Sequence, residues 1–373
     1  MREENKQMRI LSAIGMILVV AGHLGYTILD LGGLFPYYSF HVFIFLFVAG
    51  YFYRPEEEEH ILRYIGKKCR TLLLPYLIWN VIYGIFTAVL HHAGFAIGGE
   101  FTLWNLLVEP FVSGHQFLYQ FPAWFVPALF LIELLNILGR KLLSCLHLNR
   151  EWLIFVVCLV LGVITVQLAK GGHVWGYYKF PGRLLFMMPG FQLGRIYKEK
   201  LEEKVSRIGD GWYLGGVVAL QLLLTVFCNG LAFSAVWVTG FANASVVPYL
   251  TVVTGIAFWL RISDLIGRIP SVCAWLMEIG RHTYDIMMHH IFWFWVVNSI
   301  CYFFSRNTIW CKAFDAALFF SDINYSYPIG GSDAGKWIYL AAGIGMPLLC
   351  AKGIGYLREG IRQKNHNRMD PGR

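Results

Sequence analysis

The residue best suited to chemistry in this sequence is His23, which lies inside an apolar run that begins after Arg9. An ionisable side chain in hydrocarbon is costly, so a functional role is the first hypothesis for one that is kept there. Fourteen helical residues span roughly 21 Å, which would carry His23 from the membrane surface at Arg9 into the outer half of the bilayer. An imidazole in that position predicts a general base. The alternative is a histidine that only hydrogen-bonds neighbouring helices.

A set of four basic residues, here called the basic cluster, precedes the apolar run that starts near residue 71: Arg63, Lys67, Lys68 and Arg70. Guanidinium groups bind phosphate oxygens in pairs and lysine adds a point charge, so the basic cluster predicts a phosphate-binding site. The same residues also fit a purely topological signal, because basic side chains fix the orientation of membrane proteins.

Two later apolar runs contain further candidates. His289 follows Asp285 by four residues, so the two share a helical face and could form a hydrogen bond. The pair His289 and His290 beside a carboxylate predicts either a proton relay or a satisfied polar network. Glu133 is a carboxylate deep within another apolar run, where it could orient or pair with a histidine.

Helices must position these candidates, and the composition predicts an all-α membrane protein. Hydrophobic residues make up 57% of the 373 residues and charged residues only 14%, against roughly 25% in a soluble domain. Runs of about 18 or more nearly uncharged residues are long enough to cross a bilayer. We predict one domain over residues 1–373, a polytopic bundle of about ten spans at 10–29, 37–53, 71–90, 122–138, 152–169, 181–197, 211–229, 241–260, 283–304 and 336–357.

The net charge of +8 is distributed unevenly between the two sides of this predicted bundle. Of the 31 basic residues, 25 fall at alternate connections, which by the positive-inside rule predicts that both termini are cytoplasmic. The basic excess therefore reports topology, and nucleic acid is not an expected partner. The eight cysteines stand singly without ligand spacing, so no metal is expected.

The order of these motifs resembles acyltransferase family 3, the multi-pass membrane O-acyltransferases that modify surface sugars. The family's opening helix ends in a Val-Val-x-Gly-His pattern, to which Val19–His23 is similar. Its second-span pattern is similar to Phe47–Tyr51, with Ala49 where serine is common. Its basic pair before Leu-x-x-Pro-Tyr resembles Lys67 and Arg70, with Lys67 where arginine is frequent. A Trp-Phe-x-x-Ala-Leu run matches Trp124–Leu129, and a late Gly-x-x-Ser/Thr element resembles Gly280 and Thr283 leading to His289.

This resemblance implies acyl transfer across the cell membrane. Acetyl-CoA would bind its phosphates on the basic cluster and extend its pantetheine arm towards His23, with Arg9 orienting the donor. His23 would take the proton of a glycan or glycolipid hydroxyl, and His289 would stabilise charge or relay protons. Outer tryptophans could stack on sugar faces or form an interfacial aromatic belt: Trp104, Trp124, Trp175 and Trp237. The oligomeric state stays open, because lipid-facing and partner-facing apolar surfaces read alike.

Two other functions fit the same residues. In a proton-coupled transporter or flippase of a lipid-linked saccharide, the histidines would relay protons and the basic cluster would bind lipid headgroups. No internal repeat of the transporter kind is visible, although Pro75, Pro127 and Pro189 could break helices. A membrane sensor or scaffold with degenerate acyltransferase residues is the third possibility. Binding or hydrolysis of acyl-CoA separates the enzyme from both.

Overall fold

The computed structural model describes residues 4–25 and 28–369, the last ten of these by backbone alone. The described chain is helical: α1 (Lys6–Gly22), α2 (His41–Tyr51), α3 (Ile61–Lys68), α4 (Leu74–His92), α5 (Leu103–Leu107), α6 (Glu109–Val112), α7 (Phe125–Cys145), α8 (Glu151–Lys170), α9 (Lys179–Ile196), α10 (Glu202–Ser206), α11 (Asp210–Phe227), α12 (Val247–Gly267), α13 (Pro270–Arg281), α14 (Thr283–Asn307), α15 (Ala316–Ser321) and α16 (Lys336–Met369). Short 3₁₀ turns and two π-helical turns join or extend these helices. The described residues contain no strand beyond one isolated antiparallel bridge between Ser234 and Thr239.

The predicted all-α membrane bundle is confirmed, whereas the number of spans stays a prediction. Seven helical segments of the described chain are long and apolar enough to cross a membrane. Three predicted spans do not reach that length or hydropathy: α1 with 17 residues, α2 with 11, and α9, which contains three basic side chains. The predicted first span, 10–29, also includes residues 26 and 27, which lie outside the described residues.

The helix that carries His23 lies at the centre of the bundle. Along α1, twelve of the seventeen residues are buried, and they occur on every face of the helix. A helix that is apolar all round belongs in an interior. Helices α2, α12, α13, α14 and α16 all pack against α1. The C-terminal end of α1 is therefore held inside the protein and not against lipid.

Helices α2 and α9 cross at unusually short distance because glycines line their contact. A β-carbon at Gly50 would lie 1.8 Å from the carbonyl oxygen of Phe191, and one at Gly194 would lie 1.9 Å from that of Phe47. Small residues at such crossings allow two backbones to touch, as in membrane helix pairs with four-residue glycine spacing. This contact fixes α9 against α2, the helix that falls within the second predicted span.

Candidate active site

A large cavity opens on the predicted cytoplasmic side and is lined by most of the basic cluster. Arg63, Lys67 and Arg70 all border this cavity, which has a volume of about 1290 Å³ and is here called the basic basin. Arg54, Arg195 and Lys198 also line it, and the sequence analysis did not single them out. Lys68 is not among its lining residues, so the structure separates Lys68 from the other three predicted phosphate ligands.

The backbone around Arg70 departs from the α-helix. Pro75 has no N–H to donate to the carbonyl of Thr71, and its ring crowds that carbonyl. The chain responds with a π-helical turn over Cys69–Leu73 between α3 and α4. Single π turns within helices occur frequently at functional sites. Here the turn contains Arg70 and presents it at the mouth of the basic basin.

The cations of the basic basin differ in how they are neutralised. Arg195 and Lys198 are bound to carboxylates, Arg195 to Glu151 and Lys198 to Glu202. Lys67 has only a long contact of 3.5 Å with Glu57. Within the part of the chain that the structure describes, no carboxylate lies within 4.0 Å of Arg63 or Arg70. The exposed guanidinium groups are therefore available to an anionic ligand.

A second cavity of about 550 Å³, here called the middle cavity, continues inward from the basic basin. The two cavities share Tyr53, Arg54 and Lys67 among their lining residues. Lys68 and Glu133 form an ion pair in the wall of the middle cavity, with 2.6 Å between Lys68 Nζ and Glu133 Oε1. Glu133 thus pairs with a lysine and not with a histidine, contrary to the pairing considered from the sequence. Its other oxygen, Oε2, has no hydrogen-bond partner among the described residues.

Arg9 also lines the middle cavity, and contacts on two sides hold it there. Its Nε lies 2.8 Å from Glu4, and its guanidinium donates to the carbonyl of Gly280 over 3.2 Å. Gly280 is required at this contact, because a β-carbon would lie 2.3 Å from the carbonyl oxygen of Arg9. A hydrogen bond from Arg281 keeps the pKa of Glu4 below its usual value, so Glu4 is ionised. These contacts tie the start of α1 to α13.

The third cavity contains His23. It lies towards the predicted outer face of the membrane and is here called the outer cavity. It has a volume of about 90 Å³ and shares Met16, Phe45, Phe125 and Met287 with the middle cavity. His23 follows the last residue of α1, and its backbone N–H donates to the carbonyl of Val19. The basic basin, the middle cavity and the outer cavity therefore adjoin one another in series, and the last of them contains His23.

The rings of Phe121 and His290 pack against His23, and the sequence analysis named His290 only within a pair. The ring centroids of His23 and His290 are 5.3 Å apart, and His290 is fully buried. His290 Nδ1 lies 2.8 Å from the carbonyl oxygen of Ile286, so Nδ1 must carry the hydrogen and Nε2 the lone pair. This Nε2 has no partner among the described residues. It can accept a hydrogen bond from a rotated His23 ring and so set which nitrogen of His23 is basic.

His289, the predicted residue, faces a different helix. Its Nδ1 lies 2.8 Å from the hydroxyl of Tyr83, and its ring packs on Trp79 at 4.2 Å. Asp285 is paired with His282 at 3.0 Å rather than with His289. Successive residues on a helix are about 100° apart, so His289 and His290 cannot both point towards His23. Within α14, Thr283 and Met287 line the middle cavity, and steps of four and three residues lead from them to His290. This spacing is the sequence signal that places His290 on the same face.

Comparison with known proteins complements this geometry. A family model described as "Acyltransferase domain", that of acyltransferase family 3, matches residues 5–325. No curated protein and no solved structure matches the chain. The matched residues include all three cavities, from the basic basin to His23, and end within the loop that follows α15.

Proposed function

The chain belongs to acyltransferase family 3, and we propose from this premise that it transfers an acetyl group from cytoplasmic acetyl-CoA to a hydroxyl of a cell-surface or lipid-linked saccharide. It is a multi-pass membrane acyltransferase. The observation that carries the proposal is the series of cavities from the basic basin to His23, because a donor bound on one side must reach an acceptor on the other. We place the protein in the cell membrane.

The donor's phosphates bind in the basic basin. Arg63 and Arg70 supply guanidinium forks without competing carboxylates among the described residues, and Lys67 adds a point charge. The volume of about 1290 Å³ is ample for a nucleotide. Lys68 has a different role in this scheme, since it lines the middle cavity and is neutralised by Glu133.

The pantetheine arm occupies the middle cavity. Its two amide groups need hydrogen-bond partners in an otherwise apolar passage. Glu133 Oε2 and the hydroxyl of Tyr284 are buried polar atoms without a partner among the described residues, and both residues line this cavity. Arg9 lies at the same level and orients the donor. The small volume of the outer cavity, about 90 Å³, favours a short acyl group at the thioester end.

His23 acts as the general base. It takes the proton of the acceptor hydroxyl, whose oxygen attacks the thioester carbonyl carbon. The carbon–sulfur bond breaks, and the CoA thiolate leaves and takes up the proton that His23 removed, giving the acetyl ester, free CoA and a neutral His23. His290 is a positioning residue in this scheme. Its Nε2 has no partner among the described residues, so a rotated His23 ring would donate to it and keep the other imidazole nitrogen free to accept the proton.

The test compares variants of the purified protein supplied with acetyl-CoA and candidate glycans or glycolipids. Acetyl ester formation and CoA release should fall about 100-fold or more in His23→Ala, in line with the usual contribution of a general base. In Arg70→Ala the KM for acetyl-CoA should rise while transfer at saturating donor is retained. Lys141→Ala is the matched control, because Lys141 is an exposed basic residue outside the basic basin.

Acetyl transfer that survives His23→Ala undiminished would remove the base from this mechanism. A protein that neither binds nor consumes acetyl-CoA would instead fit the transporter considered from the sequence, since transport of a lipid-linked saccharide requires no CoA.

A further inference from the structure

The outer end of α9 carries two buried cations, Lys179 and Arg183, one helical turn apart. Helix α9 has 18 residues and is therefore about 27 Å long. Its other end carries Arg195, which lines the basic basin on the predicted cytoplasmic side. Lys179 and Arg183 thus lie on the side from which the acceptor arrives.

Among the residues whose side chains the structure describes, these two cations lack the carboxylate partners that the other buried arginines have. Arg140 and Arg195 are paired with Glu151, and Arg261 is paired with Asp210. Across the described residues, no carboxylate lies within 4.0 Å of Lys179 or Arg183. Buried charges are normally paired, because an uncompensated ion in a low-dielectric interior is unfavourable.

Neutral groups hold the two cations in place. Lys179 and Arg183 both donate to the carbonyl of Val236 over 3.2 Å, and Arg183 also donates to the carbonyl of Ser113 over 3.1 Å. Lys179 Nζ lies 3.9 Å from the ring centroid of Trp237. Carbonyl dipoles and ring faces solvate a cation, but they leave its net charge uncancelled.

Glu109, the acidic residue whose charge acts on His115 in this region, is bonded to other partners. Glu109 accepts hydrogen bonds from Ser113 and from the Trp104 indole. Burial is the main cause that lowers the pKa of His115 to about 4; Arg183 and Lys179 add to this effect, whereas a hydrogen bond to the Ser113 carbonyl and the charge of Glu109 oppose it.

This positive region adjoins the cavity of His23. Val236, whose carbonyl accepts from both cations, lines the outer cavity. Trp124 also lines the outer cavity, and its ring centroid lies 4.9 Å from the guanidinium carbon of Arg183. Low-dielectric walls focus the field of the two charges into the cavity.

Exposed aromatic rings lie next to the two buried cations at the protein surface. Trp175 is 60% exposed, and its ring lies 5.6 Å from that of Trp237 and 4.8 Å from Lys179 Nζ. Tyr177 is 80% exposed in the same turn. Flat apolar rings with polar edges suit the faces of sugar rings, and the cations beneath them suit a charged substituent.

From these contacts we infer that the acceptor is an anionic saccharide, whose carboxylate or phosphate supplies the negative charge that Lys179 and Arg183 lack. The inference rests on the proposed function, because it specifies the acceptor of that same site. A neutral glycan would leave both charges uncompensated in the acceptor complex.

The charge of the labelled product tests this inference directly. Native cells with the intact gene, or with a His23→Ala copy, are supplied with radiolabelled acetate, and envelope saccharides are separated by anion exchange. We expect base-labile label that depends on His23 and is retained on the column. Reduction of carboxyl groups, or cleavage of phosphate esters, should move it to the unbound fraction and so identify which anion is present.

His23-dependent label in the unbound, neutral fraction would overturn the anionic acceptor while leaving acetyl transfer intact. Equal base-labile label from cells with His23→Ala would overturn the proposed function itself, and with it this inference.

Variants of Arg183 separate charge from structure. Arg183→Gln should lower labelled anionic product about tenfold, and Arg183→Lys should retain most of it, because the positive charge is kept. The KM of purified Arg183→Gln for acetyl-CoA should be unchanged. Lys170→Gln is the matched control, since Lys170 is an exposed basic residue on the same side that donates to the carbonyl of Asn243. Equal loss in Arg183→Gln and Arg183→Lys would identify a structural tie and refute the role of charge.

Discussion

The ion pair in the middle cavity gives a prediction whose size follows from its burial. Glu133 is almost completely buried, and the side chain of its partner Lys68 is 24% exposed. Replacing Glu133 by glutamine keeps the shape but leaves the Lys68 ammonium without a counter-charge. Breaking a buried pair from one side costs about 3–5 kcal/mol, and the partial exposure of Lys68 favours the lower limit, about 3 kcal/mol. At about 2 °C per kcal/mol, Tm should fall by roughly 6 °C.

The assay is thermal unfolding of the purified protein in detergent, with a double variant as the diagnostic case. Lys68→Met combined with Glu133→Gln removes both charges and should recover most of the lost stability, since coupled residues are not additive. Glu203→Gln is the matched control: it breaks the exposed pair with Arg207 and should leave Tm unchanged. A Glu133→Gln protein as stable as the wild type would refute the buried, paired state of Glu133.

Three further outcomes follow from the structure. Gly50→Ala should destabilise the crossing of α2 and α9 by about 1–3 kcal/mol or prevent folding, because its β-carbon would lie 1.8 Å from a carbonyl oxygen. Gly211→Ala is the control: Gly211 has open space around it, so this change should leave Tm unaltered in thermal unfolding. His290→Gln should lower kcat for acetyl transfer about 10–100-fold with little change in the KM for acetyl-CoA. His289→Gln should lower kcat less. A larger loss of kcat in His289→Gln than in His290→Gln would contradict the assignment of His290 as the residue that positions His23. The pKa of His115 is about 4 in the folded protein and 6.5 in an unfolded chain, so the unfolded chain binds the proton first as pH falls. The free energy of unfolding should therefore decrease as pH drops from 6.5 towards 4. This decrease should be smaller in His115→Phe, and an equal decrease in that variant would refute the prediction.

The helices of this protein could be predicted from the sequence because apolar runs are local signals. The run from 71 to 90 became α4, and the run from 152 to 169 became α8. The close crossing of α2 and α9 could not be predicted in this way. It depends on the contact between Gly50 and Phe191, which are 141 positions apart and which only the folded chain brings together.

The candidate site shows the same division between local and distant information. His23 and the basic cluster stand out because charge within or beside an apolar run is visible in one short stretch. The pairing of Lys68 with Glu133 depends on where α3 and α7 meet, and no local pattern records it. The helical spacing from Thr283 and Met287 indicates His290 as the histidine on the cavity-lining face of α14. The i,i+4 spacing from Asp285 to His289 instead favoured His289, but in the structure Asp285 pairs with His282.

The distribution of charge along the three cavities accounts for how a membrane enzyme could join two charged substrates. Cations without a carboxylate partner among the described residues occur at both ends of this series. Arg63 and Arg70 lie in the basic basin, and Lys179 and Arg183 lie beside the outer cavity. Between them the full charges of Lys68 and Glu133 cancel. In the proposed mechanism, the uncharged thioester arm of the donor occupies the middle cavity, and the phosphates of its nucleotide stay in the basic basin. The proposal thereby confines the chemistry to the level of His23, where only neutral groups of donor and acceptor need to meet.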